Sequence, residues 1–195
     1  MARPKEFDRE VVLEIAKAVF WRQGYAATST EDLRIAMGIG RQSFYDSFGG
    51  KRQLYLETLR RYNSDSLASQ AARIASAPSP LAGLEALLLS FSKESPQSRA
   101  LGCMGIAAMC ETGVNDPAVA RIGRSSSVRL DSLLEQTLRE AKERGEVRSS
   151  LDERAAARHL QATIVGLKVL SKAGAGPEML RDVAVGALQG LKARG

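Results

Sequence analysis

The 195-residue sequence has little of what marks several large classes of protein. Two cysteines are too few for a disulfide framework. The spacing of these cysteines and the one histidine does not fit a zinc site. No apolar run reaches the roughly 18 residues needed to cross a bilayer; the longest, LAGLEALLLSF (81–91), contains a glutamate. The start of the chain, MARPKEFDRE, has no apolar signal-peptide core. We therefore expect a cytoplasmic protein with no membrane partner.

Patterns that carry catalysis are also missing from the sequence. We find no nucleophile paired with a base, no cluster of metal ligands and no glycine-rich phosphate loop. The sequence thus predicts a protein that is not an enzyme and that uses no cofactor and no metal.

Positive charge is present, and part of it is local. The chain has 28 Lys and Arg against 22 Asp and Glu, a net charge of +6. Between Arg34 and Arg61 there are six basic residues and two acidic ones. A local excess of this kind permits a polyanionic partner without proving one.

Almost every segment repeats its apolar residues with helical period, and no segment alternates as a strand would. We predict an all-α fold of about nine helices. Residues 93–100, KESPQSRA, are expected to be a polar loop. Capping residues, glycines and prolines give these helix limits: Asp8 to Gly24, Ser29 to Gly38, Gly40 to Phe48, 51–74, 80–92, 102–113, 117–145, 152–173 and 177–192.

The stretch GIGRQSFYDSFGGKRQLY, residues 38–55, has the spacing of a helix-turn-helix motif. Two helices of about eight residues are joined by a short turn that contains glycine, and the second can enter a DNA major groove. Phe44 and Phe48 would anchor this helix on the others. Arg41 and Gln42 at its start could donate to guanine and adenine. Spacing alone leaves an ordinary helical corner as the alternative.

Other polar residues around this helix suit phosphate oxygens. Ser43 and Tyr45 offer hydroxyls, and Lys51 adds positive charge where the next helix begins. The backbone amides and hydroxyls of Thr28 and Ser29 could bind the other side of the groove. Asp46 does not fit this pattern. It would face solvent, accept from a cytosine amino group, or pair with Arg41 or Arg52.

This region resembles the TetR family of bacterial transcriptional regulators over about residues 8–60. The matching residues are Gly24-Tyr25, Thr28-Ser29, Asp32-Leu33, Ala36, Gly38-Ile39, Ser43-Phe44-Tyr45, Phe48, Lys51 and Leu54-Tyr55. The resemblance implies a helix-turn-helix DNA-binding domain at 1–50, connected by the helix 51–74. It also implies a helical ligand-binding and dimerisation domain at 51–195.

From the resemblance we expect a repressor that binds a near-palindromic DNA operator as a dimer. A small apolar or aromatic effector would release it. Small residues in the last two helices, 152–173 and 177–192, favour these helices as the homodimer interface. The expected pocket residues are Phe91, Met104, Met109, Cys110, Leu134, His159 and Thr163.

The cysteines provide an alternative mode of sensing. Cys103 and Cys110 are seven residues apart in a predicted helix, about 10 Å by helical rise, which is too far for a disulfide. Some members of the TetR family sense electrophiles through a cysteine near this position in the sequence. Cys103 is therefore a candidate redox or electrophile sensor. A helical interaction module that never binds DNA is a further alternative.

Overall fold

The computed structural model describes residues 7–192, and within this range it is built from α-helices. The same range contains no strand; its one β-bridge is an isolated antiparallel pair between Val147 and Lys192. The all-α prediction is therefore confirmed. The helices are α1 (Arg9–Gln23), α2 (Thr30–Met37), α3 (Arg41–Phe48), α4 (Lys51–Ala75), α5 (Pro80–Ser90), α6 (Pro96–Leu101), α7 (Met104–Glu111), α8 (Pro117–Glu143), α9 (Glu153–Lys172) and α10 (Pro177–Gln189). A 3₁₀ turn at Phe91–Lys93 lies between α5 and α6.

Short polar side chains start several helices where the sequence predicted. The Asp8 carboxylate accepts from the amide of Glu10 at 2.9 Å, and the Asp152 carboxylate accepts from that of Ala155 at 3.0 Å. Asp116 accepts from the amide of Ala118 at 2.9 Å. Each bond satisfies an amide that has no partner within its own helix.

One helix lies where the sequence predicted a loop. Within KESPQSRA, the hydroxyl of Ser95 accepts from the amide of Ser98, and Pro96 takes the first helical position. Gly102 ends the helix with φ 66°. The polar composition concealed α6 because a helix of six residues buries none of its side chains. The next helix, α7, begins at Met104 instead of residue 102.

The chain forms two compact units that interleave along the sequence. The first unit contains the residues up to Ser64 and the segment Met104–Gly123. The second contains Asp65–Cys103 and the residues from Arg124 onward. The domain boundary predicted at residue 50 falls inside the first unit, and α4 and α8 each contribute residues to both units.

Each unit has its own apolar core. The first core combines α1 to α4 with α7 and the start of α8, and its members are Val12, Leu13, Ala16, Val19, Phe20, Leu33, Met37, Ile39, Phe44, Phe48, Leu54, Tyr55, Leu56, Leu59, Met104, Ala108 and Val119. The second is built mainly from leucines of α5, α8, α9 and α10, among them Leu84, Leu88, Leu134, Leu138, Leu160, Leu167, Leu180 and Leu188. Between residues 7 and 192, no helix is both long and apolar enough to cross a membrane.

Candidate nucleic-acid interface

Helices α2 and α3 are joined by the three residues Gly38, Ile39 and Gly40. Gly38 adopts a left-handed conformation with φ 65°, which is accessible to glycine at little cost. Its amide donates to the carbonyl of Ile35, and the amide of Ile39 donates to that of Arg34, both at 3.2 Å. These bonds end α2 sharply and let the chain start α3 at a new angle.

The inner face of α3 is fixed by two phenylalanines. Phe44 is fully buried and Phe48 is 5% exposed, with their ring centroids 6.1 Å apart. The Arg9 guanidinium lies 4.9 Å from the centre of the Phe48 ring, and both Glu57 carboxylate oxygens hold it at 2.7 Å. An isolated helix of eight residues would not form in water, so this packing holds α3 in place.

The outer face of α3 carries the polar residues that the motif predicted. Arg41, Gln42, Ser43 and Tyr45 are all exposed. Asp46 is also exposed, and it accepts a 2.8 Å hydrogen bond from Nε2 of Gln42. Of the alternatives for Asp46, it therefore faces solvent, but its partner is a residue that the sequence did not indicate. Arg52 pairs elsewhere.

The residues that flank the motif differ in how available they are. Thr28 is 1% exposed and its hydroxyl donates to the carbonyl of Gly24 at 2.6 Å. The prediction that this hydroxyl meets phosphate is corrected, because the group is buried and already bonded. Ser29 is exposed and caps α2, and its amide donates to Oδ2 of Asp32 at 2.8 Å. These bonds from Ser29, with a smaller contribution from Lys51, lower the pKa of Asp32.

Lys51, the first residue of α4, lies beside an aromatic ring. Its Nζ is 4.4 Å from the centre of the Tyr25 ring, a cation–π contact that leaves the lysine half-buried. Its assignment as a phosphate contact stays a prediction, as do the roles of Ser29, Arg41, Gln42, Ser43 and Tyr45.

Sequence reasoning missed two carboxylates of the same unit that bind residues far from them in the sequence. Glu111, at the end of α7, accepts from the backbone amides of Tyr25 and Ala26 at 3.0 and 2.7 Å. Asp116 accepts from the Arg52 guanidinium at 2.9 Å through both of its oxygens. The sequence signalled only that Asp116 caps α8, because the partners lie 64 to 86 residues away.

Comparison with known proteins connects this geometry to a family. Residues 12–58 match the model for bacterial regulatory proteins of the tetR family. Residues 80–191 match the model for the C-terminal region of BetI-type transcriptional repressors. The chain belongs to the TetR family of bacterial transcriptional regulators.

Individual TetR relatives align along almost the whole chain. The uncharacterized HTH-type transcriptional regulator YezE of Bacillus subtilis is 34% identical, covering 93% of this chain and 95% of its own. The HTH-type transcriptional repressor ComR of Escherichia coli is 30% identical, covering 93% and 88%. A cysteine mutant of the TetR family regulator CifR, complexed with 26-bp double-strand operator DNA, is 27% identical, has a TM-score of 0.84 and covers 97% and 100%.

The predicted effector-pocket residues of this TetR chain fall into both units. Met104 is buried in the core of the first unit, where Met109 and Cys110 are exposed on α7. Phe91 and Leu134 are buried together in the core of the second unit. The sequence-based set is therefore not one local cluster, and its role in effector binding stays a prediction.

Two other predicted pocket residues, His159 and Thr163, lie on α9. His159 is exposed and lines an open cleft of about 310 Å³ between α9, α10 and residues 148–152. Thr163 is half-buried and donates its hydroxyl to the His159 carbonyl at 2.9 Å. The roles of His159 and Thr163 in effector binding stay predictions.

The two cysteines do not share a helix. Cys103 precedes α7 and belongs to the second unit, whereas Cys110 lies within α7 and belongs to the first. The separation computed from helical rise therefore does not apply. Nζ of Lys168 lies 3.8 Å from Sγ of Cys103. Across residues 7–192, no three His, Cys, Asp or Glu side chains group closely enough to hold a metal ion.

Proposed function

We propose that this TetR regulator acts as a homodimeric repressor that places α3 of each copy in successive major grooves of a near-palindromic operator. One observation carries the proposal: α3 buries Phe44 and Phe48 and exposes Arg41 and Gln42 on its other face. Arg and Gln are the residues that pair bidentately with guanine and adenine. The proposed activity is binding without turnover, and its DNA partner is found in the bacterial cytoplasm.

The outer faces of the last two helices support the dimer. Val165 and Val169 of α9 are 42% and 49% exposed, and Met179 and Val183 of α10 are 54% and 37% exposed. Each pair is four residues apart and so lies on one side of its helix. A second copy that packs the same faces together would remove these side chains from water.

An effector is proposed to release the repressor from DNA. The apolar second core, which includes Phe91 and Leu134, favours a small apolar or aromatic molecule. Such a molecule changes DNA binding only if its affinity differs between the DNA-binding conformation and another conformation. A thermal-shift screen of apolar and aromatic metabolites, followed by operator-release measurements on the hits, tests this part.

Operator binding is tested by selecting duplexes from a random library with the full-length protein and measuring affinity by fluorescence anisotropy. We expect a palindromic consensus and a steep loss of affinity as salt rises. Arg41→Ala and Gln42→Ala should relax preference at the bases they contact, whereas Arg144→Ala, at an exposed site beyond α8, should not. No selected consensus, or binding that salt leaves unchanged, would favour an interaction module instead.

A second candidate, an electrophile sensor of the same fold, rests on the contact between Cys103 and Lys168. Sγ of Cys103 lies 3.8 Å from Nζ of Lys168, and the cysteine is only partly buried. Treatment with N-ethylmaleimide should then release operator DNA from the wild type and from Cys110→Ser, but not from Cys103→Ser. Equal release from both single variants would exclude Cys103 as the sensor.

A further inference from the structure

Glu111 joins the end of α7 to the turn between α1 and α2, within the first unit. Its two carboxylate oxygens accept from the consecutive amides of Tyr25 and Ala26 at 3.0 and 2.7 Å. Gly24, just before them, has φ 80°, and a Cβ there would lie 3.1 Å from Oε2 of Glu111. The turn therefore presents two amides to one carboxylate, and a side chain at position 24 would crowd it.

Asp116 makes a comparable connection to the first turn of α4. Its two oxygens accept from Nε and Nη2 of Arg52, both at 2.9 Å, and one of them also caps α8. The hydrogen bond from Arg52 is the main cause of a lowered pKa at Asp116. Bidentate pairing fixes orientation as well as distance, so it restrains the start of α4.

Two tyrosines of the first unit pack together, and one of them also contacts Lys51. The Tyr25 ring is 4.7 Å from the Tyr55 ring and 4.4 Å from Nζ of Lys51. Glu111 thus binds the backbone of Tyr25, the residue whose ring contacts Lys51. The other end of the same turn leads through Thr28 to Ser29, where α2 begins.

We infer that Glu111 and Asp116, here called the acidic clamp, are positioning residues for DNA binding. They hold the α1–α2 turn and the start of α4, the two segments that flank the helix-turn-helix. These segments carry Ser29 and Lys51, whose phosphate contacts are predicted, and the inference rests on the proposed function. The clamp reaches the DNA only through the segments that it holds in place.

The sign of the expected effect separates positioning from simple electrostatics. Replacing a carboxylate by an amide raises the net charge, and charge alone would tighten binding to DNA. If Glu111 acts by positioning, Glu111→Gln should weaken binding instead, because its amide can accept from only one of the two backbone amides. Glu143→Gln, an equal charge change at an exposed residue of α8, is the matched control.

The experiment measures affinity for a duplex selected from a random library, at several salt concentrations, with the full-length protein. We expect Glu111→Gln to bind about tenfold more weakly than wild type and its salt slope to fall by about 2, as for the loss of one phosphate contact in each copy of the proposed dimer. Glu143→Gln should bind as tightly as wild type or more tightly. A fall in affinity with an unchanged slope would indicate general destabilisation and overturn the inference.

Two further measurements keep the inference falsifiable if Glu111→Gln folds poorly. Asp116→Asn keeps a good helix cap but loses the ion pair with Arg52, so it should also lower affinity and slope. Hydrogen exchange at the amides of Tyr25 and Ala26 should accelerate in Glu111→Gln and not in Glu143→Gln. If wild type selects no duplex, the proposed function fails; if wild type binds and both clamp variants match it, only the clamp fails.

Discussion

Asp46 offers a sharp test of how α3 reads DNA, because it bonds a residue that is predicted to contact a base. Its Oδ1 accepts from Nε2 of Gln42 at 2.8 Å, and both residues are exposed. The bond uses one N–H of the Gln42 amide and leaves the other N–H and the carbonyl oxygen free. Those two groups are the pair that recognises adenine. In the proposed DNA complex, Asp46 would therefore orient Gln42 for reading while placing a negative charge near phosphates.

Asp46→Ala should accordingly tighten binding to every duplex and reduce discrimination between them. A hydrogen bond of this kind contributes about 0.5–1.5 kcal/mol net, which corresponds to about a 2- to 12-fold loss of preference at the base pair read by Gln42. Fluorescence anisotropy would compare the selected duplex, the same duplex changed at that base pair, and a random duplex. The gain in general affinity should be largest at low salt, where screening is weakest.

Asp46→Asn is the matched variant, since its amide oxygen can still accept from Gln42 while the charge is gone. It should tighten binding to all duplexes as Asp46→Ala does, yet keep the wild-type discrimination. If Asp46→Ala retained full discrimination, the hydrogen bond would not orient Gln42 for reading. If Asp46→Asn lost discrimination as Asp46→Ala does, charge would explain the effect and the orientation argument would fail.

Three further predictions concern the same unit. Phe44→Ala should lower the free energy of unfolding by about 3–5 kcal/mol in urea titrations, because the side chain is fully buried, whereas Tyr45→Ala at an exposed site should cost much less. Lys51→Ala should weaken binding to all duplexes alike and lower the salt slope by about 2, one contact for each copy of the proposed dimer; altered sequence preference would contradict a phosphate role. Burial raises the pKa of Tyr55 to about 12, so folding favours the neutral phenol, and the stability this gives below pH 10 should be lost as pH rises towards 12. The difference in unfolding free energy between wild type and Tyr55→Phe should therefore change over that pH range and stay constant below it.

Much of the helical framework follows from interactions between residues close in sequence. The capping box of Ser29 and Asp32 and the glycine at position 38 are local signals, and each marks a helix end in the structure. The inward placement of Phe44 and Phe48 follows equally from their spacing of four residues. These features could be predicted because their physical causes span less than two helical turns.

Other features depend on where distant segments meet, and the sequence did not indicate them. Thr28 is a small polar residue that reads as exposed, yet the turn buries it and bonds its hydroxyl to Gly24. The sequence predicts an effector pocket between the middle helices. The division of the predicted pocket residues between the two units depends on the path of α7 and α8 through the fold, which periodicity does not determine.

Two kinds of interaction therefore position the residues of the candidate DNA surface. One is local, within α3, and the other joins segments that are far apart in the sequence. Arg41 and Gln42 are set on α3 by helical geometry alone, so their exposure follows once the phenylalanines are buried. The turn that leads to Ser29 and the start of α4 depend on carboxylates supplied by residues 111–116. Those residues belong to the segment Met104–Gly123 of the first unit, which lies in the sequence between two stretches of the second unit. A change that moved α7 would therefore act on the predicted phosphate contacts of Ser29 and Lys51 without altering any residue of the helix-turn-helix.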